Sequence, residues 1–145
     1  MKPYKLVMVF FAFLFTSCGY YKHVDPTLYR YDDEKICKLS AALEAKDKNG
    51  FTTLVTCCKS MEPVIYMNDI LVCVPSPFSN DLKGRVVVYR PKWNNYQSTT
   101  HRLVSGDAES GFIASGDNNR ESEARERVTK DNYVGEVISI YRVER

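Results

Sequence analysis

The sequence predicts a small, mostly β domain, a curled sheet with a barrel-like form, preceded by one short helix. Short apolar runs rich in β-branched residues, separated by turn residues, recur from residue 51 onward. One earlier segment has apolar residues at helical spacing. The length of 145 residues suits one domain with a modest core, and the formal net charge of +2 is too small to indicate a nucleic-acid partner.

The first 17 residues are expected to form a signal peptide outside the folded domain. Two lysines give a basic start, residues 6–15 are an unbroken apolar run, and two small residues follow. The run is shorter than the roughly 20 apolar residues that span a bilayer. The sequence therefore predicts export, with residues 18–32 as a polar tether before the domain.

The end of this segment, Phe15-Thr16-Ser17-Cys18, resembles a bacterial lipobox, in which small residues precede a cysteine that is lipidated after cleavage. Phe15 stands where the lipobox usually has Leu. The resemblance implies a lipid on Cys18, which would anchor the protein at a membrane surface on the periplasmic or extracellular side. The alternative is an uncleaved anchor that extends through Tyr20 and Tyr21.

Residues 33–48 are predicted to form an amphipathic helix, in a segment that ends at residue 50. Asp32 or Asp33 could cap its first turn, and Asn49-Gly50 would end it. Four apolar residues recur at helical spacing and are expected to face the β domain: Ile36, Leu39, Ala42 and Leu43.

The β domain, residues 51–145, is predicted to contain six strands. The valines at 86–88 show no polar alternation, which indicates a strand buried on both faces. Residues 121–130 are so charged that they are expected to form a solvated loop or a short helix. The predicted strands are residues 51–57, 70–74, 85–90, 99–104, 111–115 and 133–143.

The five cysteines do not follow a metal-binding pattern. The sequence has no Cys-x-x-Cys pair and no group of His and Cys at ligand spacing, so neither a metal nor a cofactor is expected. Export permits disulfides. A bridge from Cys37 or Cys57 to Cys73 would fit, although the spacing does not fix the pairing.

A candidate nucleophile, Ser60, stands on a turn between the first two predicted strands. Pro63 interrupts regular pairing there, so the hydroxyl could face a ligand, or it could cap the local backbone. Ser60-Met61-Glu62-Pro63, followed by Asp69 before the next strand, resembles the nucleophile box of type I signal peptidases. Self-cleaving repressors share that box.

Two further boxes follow in the order that the same family shows. His101-Arg102-Leu103-Val104, followed by Gly106-Asp107, resembles the box that carries the general base in the endoplasmic-reticulum and archaeal-like branch. The commoner bacterial branch has a lysine there. Ser115-Gly116-Asp117-Asn118-Asn119 resembles the Gly-Asp-Asn-Asn turn of the family, and the whole resemblance covers about residues 52–137.

The resemblance implies a serine peptidase mechanism. Ser60 would be the nucleophile and His101 its general base. A carboxylate should orient the imidazole; Asp117 is the first choice, and Glu123, where the family has Asp, is the second. The oxyanion would be bound by the backbone N–H of Ser60 and by Cys58, where the family often has Ser. A thiol is a weaker donor than a hydroxyl.

The expected function is that of a membrane-tethered serine endopeptidase that cleaves exported proteins. The substrate would be an extended peptide segment with small side chains near the cut, added as a strand beside Ser60. The changes at Cys58 and Glu123 favour an alternative, a catalytically weak or inactive lipoprotein that binds peptides. A self-cleaving regulator is a further alternative, against which the lipobox argues.

Overall fold

The computed structural model describes residues 22–56, 59–119 and 123–144, except for the side chains of residues 123–125. Over these ranges the chain forms one α-helix and eight strands, which confirms the prediction of a mostly β fold with one helix. The elements in chain order are β1 (Thr27–Tyr31), α1 (Glu34–Asp47), β2 (Phe51–Leu54), β3 (Ile70–Val74), β4 (Val86–Tyr89), β5 (Thr99–Asp107), β6 (Gly111–Ser115), β7 (Glu123–Val128) and β8 (Tyr133–Val143).

All eight strands belong to one sheet with β8 near its centre. Along the main path the order is β2-β3-β8-β4-β5-β6-β7, and each strand is antiparallel to its neighbours. One edge of β8 pairs with β3, and the other pairs first with β4 and then, in parallel, with β1. Among the described strands the sheet is open, with β2 and β7 at its ends, so a closed barrel is not confirmed.

Most predicted strands agree with the observed ones, although β2 ends at Leu54 and β5 continues to Asp107. Val86 and Val88 pack into one core cluster and Val87 into another, and all three are buried. The prediction that this strand is buried on both faces is therefore confirmed.

The charged stretch 121–130, predicted to be a loop or a short helix, contains strand β7, so that prediction is wrong. Val128 is buried opposite Phe112 of β6 and supplies an apolar contact that holds the strand. Arg127 stays exposed, as charged residues commonly do on a strand at the end of a sheet. Because this stretch is so rich in charged residues, its sequence pattern did not indicate a strand.

The predicted tether, residues 18–32, contains β1, which pairs in parallel with β8. The rings of Tyr29 and Tyr31 lie 4.9 and 5.7 Å from that of Tyr141, measured between centroids. Upstream of the strand, Val24 forms a bridge with Arg85 beside β4. From Val24 onward this segment therefore belongs to the folded domain, because it pairs with β8 and Arg85 and its two tyrosine rings pack on Tyr141.

Helix α1 begins after Asp33, whose carboxylate accepts hydrogen bonds from two backbone N–H groups of the first turn at 2.7 and 3.0 Å. The helix buries a stripe of small residues, Cys37, Ala41 and Ala45. The predicted buried face is wrong. All four of its residues are exposed: Ile36, Leu39, Ala42 and Leu43.

Glu44 accounts for the face that α1 buries. Its carboxylate accepts hydrogen bonds from the hydroxyl groups of Ser139 and Tyr141 in β8 at 2.9 and 2.8 Å. Burial and the hydrogen bond to Glu44 raise the pKa of the Tyr141 phenol, which keeps it a neutral donor. These two bonds fix the rotation of the helix about its axis, with the small residues toward the sheet.

Cys37 and Cys73 are both free and buried, so the bridge between them is wrong. Burial raises the pKa of the Cys37 thiol, and it raises the pKa of Cys73 to about 12. Both thiols are therefore poor nucleophiles near neutral pH.

The predicted signal peptide, residues 1–17, the lipidation site Cys18 and the alternative bridge partner Cys57 lie outside the described residues. Within the described ranges, no helix combines the length and the apolar character needed to cross a membrane.

Candidate active site

The Ser60 turn, residues 59–69, joins β2 to β3 and is anchored in the core. Met61 and Ile65 are almost fully buried and pack with Leu71 in one core cluster. The N–H of Ile65 donates to the carbonyl oxygen of Met61 at 2.9 Å, which closes one turn directly after Ser60. The candidate nucleophile is thus carried on backbone that apolar packing holds in place.

Asp69 braces the far end of the Ser60 turn. Its buried carboxylate accepts a hydrogen bond from the N–H of Tyr66 at 2.8 Å and two from the guanidinium of Arg142 at 2.9 and 2.6 Å. Arg142 also donates to the carbonyl oxygen of Val64 and lies 4.5 Å from the centroid of the Tyr66 ring. The hydrogen bonds to Asp69 raise the pKa of Arg142. We call this pair the Asp69 clamp.

His101 lies on β5 within reach of the serine. The Oγ atom of Ser60 is 3.0 Å from Nε2 of His101, and the imidazole is 4% exposed. This distance is that of a hydrogen bond between a nucleophile and its general base. The structure therefore brings together the two residues that the sequence predicted to carry the reaction.

Tyr89 of β4 lies on the other side of the imidazole, with its hydroxyl 3.3 Å from Nδ1 of His101. When Nε2 accepts the serine proton, Nδ1 carries a hydrogen, which can be donated to the phenol oxygen. In the β4–β5 ladder Val87 is directly opposite His101, so Tyr89 is a diagonal neighbour on the same face. Sequence reasoning missed this residue because it becomes visible only once the strand register is known.

Asp117, the first choice for orienting the imidazole, binds Arg102 instead. Its two carboxylate oxygens accept hydrogen bonds from Nε and Nη2 of Arg102, each at 2.8 Å. The planar fork of the guanidinium matches both oxygens at once, and Arg102 directly follows the base in the sequence. We call this pair the Asp117 clamp; it reaches His101 through the backbone of β5.

The Arg102 side chain is fully buried and also binds the N-terminal segment. It donates to Asp25 Oδ1 at 2.6 Å and to the carbonyl oxygens of Val24 and Gly84 at 3.1 and 2.8 Å. Burial alone would lower the pKa of Arg102, but the hydrogen bonds and charges of Asp117 and Asp25 raise it overall. This network gave no signal in the sequence, since it joins residues that are about 77 positions apart.

The Asn118 turn, residues 115–119, presses against the Ser60 turn. The backbone N–H of Asn118 donates to the carbonyl oxygen of Ser60 at 2.8 Å, and its side-chain amide donates to that of Lys59 at 3.0 Å. A Cβ atom on Gly116 would lie 2.4 Å from the Ser60 oxygen and 2.7 Å from Ser60 Cβ. Residues 115–119, the third of the three boxes, therefore position the candidate nucleophile next to its candidate base. The Asp117 clamp holds β5, which carries His101, and Asn118 holds Ser60.

Two predicted site residues cannot be assigned a contact. Cys58, expected to help bind the oxyanion, lies outside the described residues. Glu123 begins β7, but its side chain is not described. Their expected roles remain predictions.

Ser60 and His101 both line a cavity of about 380 Å³. Its inner surface is formed by apolar residues that include Met61, Ile65 and Leu71. Residues 53–56, at the end of β2 and just beyond it, form one side. Ser60 and His101 thus face a partly open cavity that is large enough for part of a substrate.

No family model matches the chain, and neither curated proteins nor solved structures give a significant match. The resemblance to signal peptidases therefore rests on the three boxes and on their convergence in the fold.

Proposed function

We propose that this protein is a membrane-tethered serine endopeptidase, similar to signal peptidase, that cleaves extended segments of exported proteins. The observation that carries the proposal is the 3.0 Å contact between Ser60 Oγ and His101 Nε2 at the wall of a cavity. The two residues come from separate elements, 41 positions apart, and the sequence motifs assign them independently to these roles.

The reaction follows from this pair. As Ser60 Oγ attacks the peptide carbonyl carbon, Nε2 of His101 accepts its proton. The tetrahedral intermediate collapses when the C–N bond breaks and the imidazolium returns that proton to the leaving amine. Water then attacks the acyl ester, again losing a proton to Nε2, and the ester bond breaks as Ser60 regains its hydrogen. Tyr89 would hold the ring in the required tautomer through Nδ1.

The edge of β2 offers a place for the substrate backbone. Among the described strands, β3 is the one neighbour of β2. Val55, just beyond β2, directs its N–H toward Asp69 and its carbonyl toward Asn68 at 2.9 and 2.8 Å. Since these groups alternate along a strand, those of Leu54 face the opposite edge. An extended peptide could pair there as an added strand and pass Ser60.

The N-terminal segment would keep this domain at a membrane. The lipobox-like stretch that ends in Cys18 supports such a location, as does the predicted signal peptide, residues 1–17. The enzyme would then act on segments presented near the bilayer surface, with no nucleic acid involved.

A second candidate function is a catalytically weak or inactive peptide-binding lipoprotein of the same fold. One observation favours it: the carboxylate of Asp117, the first choice for orienting the imidazole, is bound by Arg102.

Incubation with a synthetic library of extended peptides, followed by mass spectrometry of new amino termini, distinguishes these functions. The wild type should cut, and Ser60→Ala should not, while both melt at a similar temperature. Cleavage that persists unchanged in Ser60→Ala would exclude the proposed enzyme. Binding of peptides without any new termini in the wild type would instead favour the inactive lipoprotein.

A further inference from the structure

The cavity beside Ser60 has an apolar base. Met61, Ile65 and Leu71 belong to a buried core cluster, and each also lines the cavity. Leu54, which is 53% exposed, and Trp93, which is 41% exposed, also line it. Threonine, serine and asparagine residues form most of the remaining lining. A substrate side chain that enters from the reactive pair would therefore meet more apolar than polar surface, with the apolar part at the base and at Trp93.

Trp93 lies on a loop, residues 90–98, whose shape is fixed by its own hydrogen bonds. The N–H groups of Asn95 and Tyr96 donate to the carbonyl oxygens of Lys92 and Pro91, both at 3.0 Å. The N–H of Lys92 donates to Oε2 of Glu126 at 2.7 Å, which attaches the loop to β7. Trp93 is thus held on a preformed wall.

We propose that this cavity selects a large aliphatic or aromatic side chain of the substrate, with Trp93 as the specificity-determining wall. The inference rests on the proposed function, since it takes the ligand to be an extended peptide. It replaces the expectation of small side chains near the cut. An alanine methyl group would leave most of the apolar base uncovered, whereas a leucine or phenylalanine side chain would cover it.

The test measures binding without cleavage, in the Ser60→Ala variant. Trp93 is the only tryptophan in the chain, so its fluorescence reports directly on the cavity. The probes are octapeptides with blocked ends that are polar except for one central residue: Ala, Leu, Phe or Asp. Each methylene group in an apolar pocket changes affinity by about tenfold or more. The Leu and Phe peptides should therefore bind at least about tenfold more tightly than the Ala peptide, with a blue shift of the emission.

Substitution of Trp93 supplies the second measurement, the change in peptide affinity. With a labelled Leu peptide and anisotropy as the readout, Trp93→Ala should weaken binding by roughly tenfold or more. Tyr96→Ala is the matched control, because Tyr96 lies on the same loop but lines a different cavity. It should leave the affinity unchanged, and thermal melting should show that both variants fold.

Three results would overturn the proposal: an Ala peptide that binds as tightly as the Leu peptide, no saturable binding of any peptide, or a Trp93→Ala variant with wild-type affinity. Because cleavage is not measured, these failures are separate from failure of the proposed enzyme. A wild type that cuts peptides but prefers Ala would reject the selectivity and keep the peptidase.

Discussion

The molecule contains two largely buried Arg–Asp pairs of similar geometry, the Asp69 clamp and the Asp117 clamp, and they hold different parts of the candidate site. Each joins both oxygens of an aspartate to one guanidinium at 2.6–2.9 Å. The Asp69 clamp ties the Ser60 turn to β8, away from the imidazole. The Asp117 clamp starts from the residue next to His101 and ends on the turn that contacts Ser60. The comparison predicts that the Asp117 clamp affects the proposed reaction, because its residues lie next to His101 in the sequence and on the turn that contacts Ser60.

The largest expected effect comes from substituting Ser60 or His101. The loss of kcat in these variants is the reference against which the clamp variants are compared. Ser60→Ala and His101→Ala should each lower kcat by about 10⁴-fold or more, while combining them should cost little beyond either alone. Peptide cleavage rates of the three variants measure this. Additive losses in the double variant would mean that the two groups do not act together.

The next prediction compares two glycines that leave no room for a Cβ atom: Gly116 lies at the candidate site, and Gly50 lies far from it. Gly116→Ala should lower kcat by roughly a hundredfold, because its Cβ would displace Ser60, and a shift of about 1 Å can cost that much. Gly50→Ala is the control: its Cβ would lie 2.2 Å from the carbonyl oxygen of Cys73, away from the reacting groups. It should lower the melting temperature and leave kcat of the folded protein intact. Equal losses of kcat in both would show that general destabilisation is the cause.

Removing the negative charge of the aspartate in each clamp tests the comparison between the two clamps directly. Asp69→Asn should lower the free energy of unfolding by about 3–5 kcal/mol, because it removes the buried carboxylate that pairs with the partly buried guanidinium of Arg142. Asp117→Asn should cost less, about 1.5–3 kcal/mol, since Arg102 keeps Asp25. Only Asp117→Asn should also reduce kcat, by roughly tenfold or more. Denaturant melts and cleavage rates measured side by side decide this, and a kcat loss confined to Asp69→Asn would reverse the assignment.

The smallest effect concerns the phenol beside Nδ1. Tyr89→Phe removes a hydrogen bond worth about 0.5–1.5 kcal/mol, so kcat should fall by up to about tenfold. Tyr133→Phe is the matched control, because its hydroxyl hydrogen-bonds to Ser76 at 2.7 Å. Nitrogen NMR of the imidazole in Ser60→Ala should show a shift in tautomer populations with Tyr89→Phe and none with Tyr133→Phe. An unchanged tautomer ratio would leave Tyr89 a packing residue only.

The features of the fold and site that depend on local pattern could be predicted from the sequence. The valine strand, β3, β6 and β8 follow from composition and turn residues, and the motifs alone are enough to single out Ser60 and His101. These features depend on short stretches of chain, and short stretches are what periodicity and motifs report.

The parts that sequence reasoning missed depend on register and on distant partners. Tyr89 meets His101 only through the pairing of β4 with β5. Arg102 pairs with Asp117 because a buried guanidinium needs a compensating charge. No local sequence pattern indicates that Arg102 is buried. The exposed face of α1 was misjudged for the same reason: two hydrogen bonds to Glu44 from β8 outweigh the apolar spacing of Ile36 and its neighbours.

The attachment of Val24 and Asp25 to the domain shortens the segment that would connect the domain to a lipid on Cys18. A tether of residues 18–32 could extend about 50 Å, at 3.3–3.6 Å for each residue. With Val24 paired to Arg85, only the five residues 19–23 separate Cys18 from Val24, a reach of about 20 Å. If Cys18 carries lipid, Ser60 would stay within a thin layer next to the membrane, and a substrate of the proposed peptidase would have to bring its cleavage site into that layer.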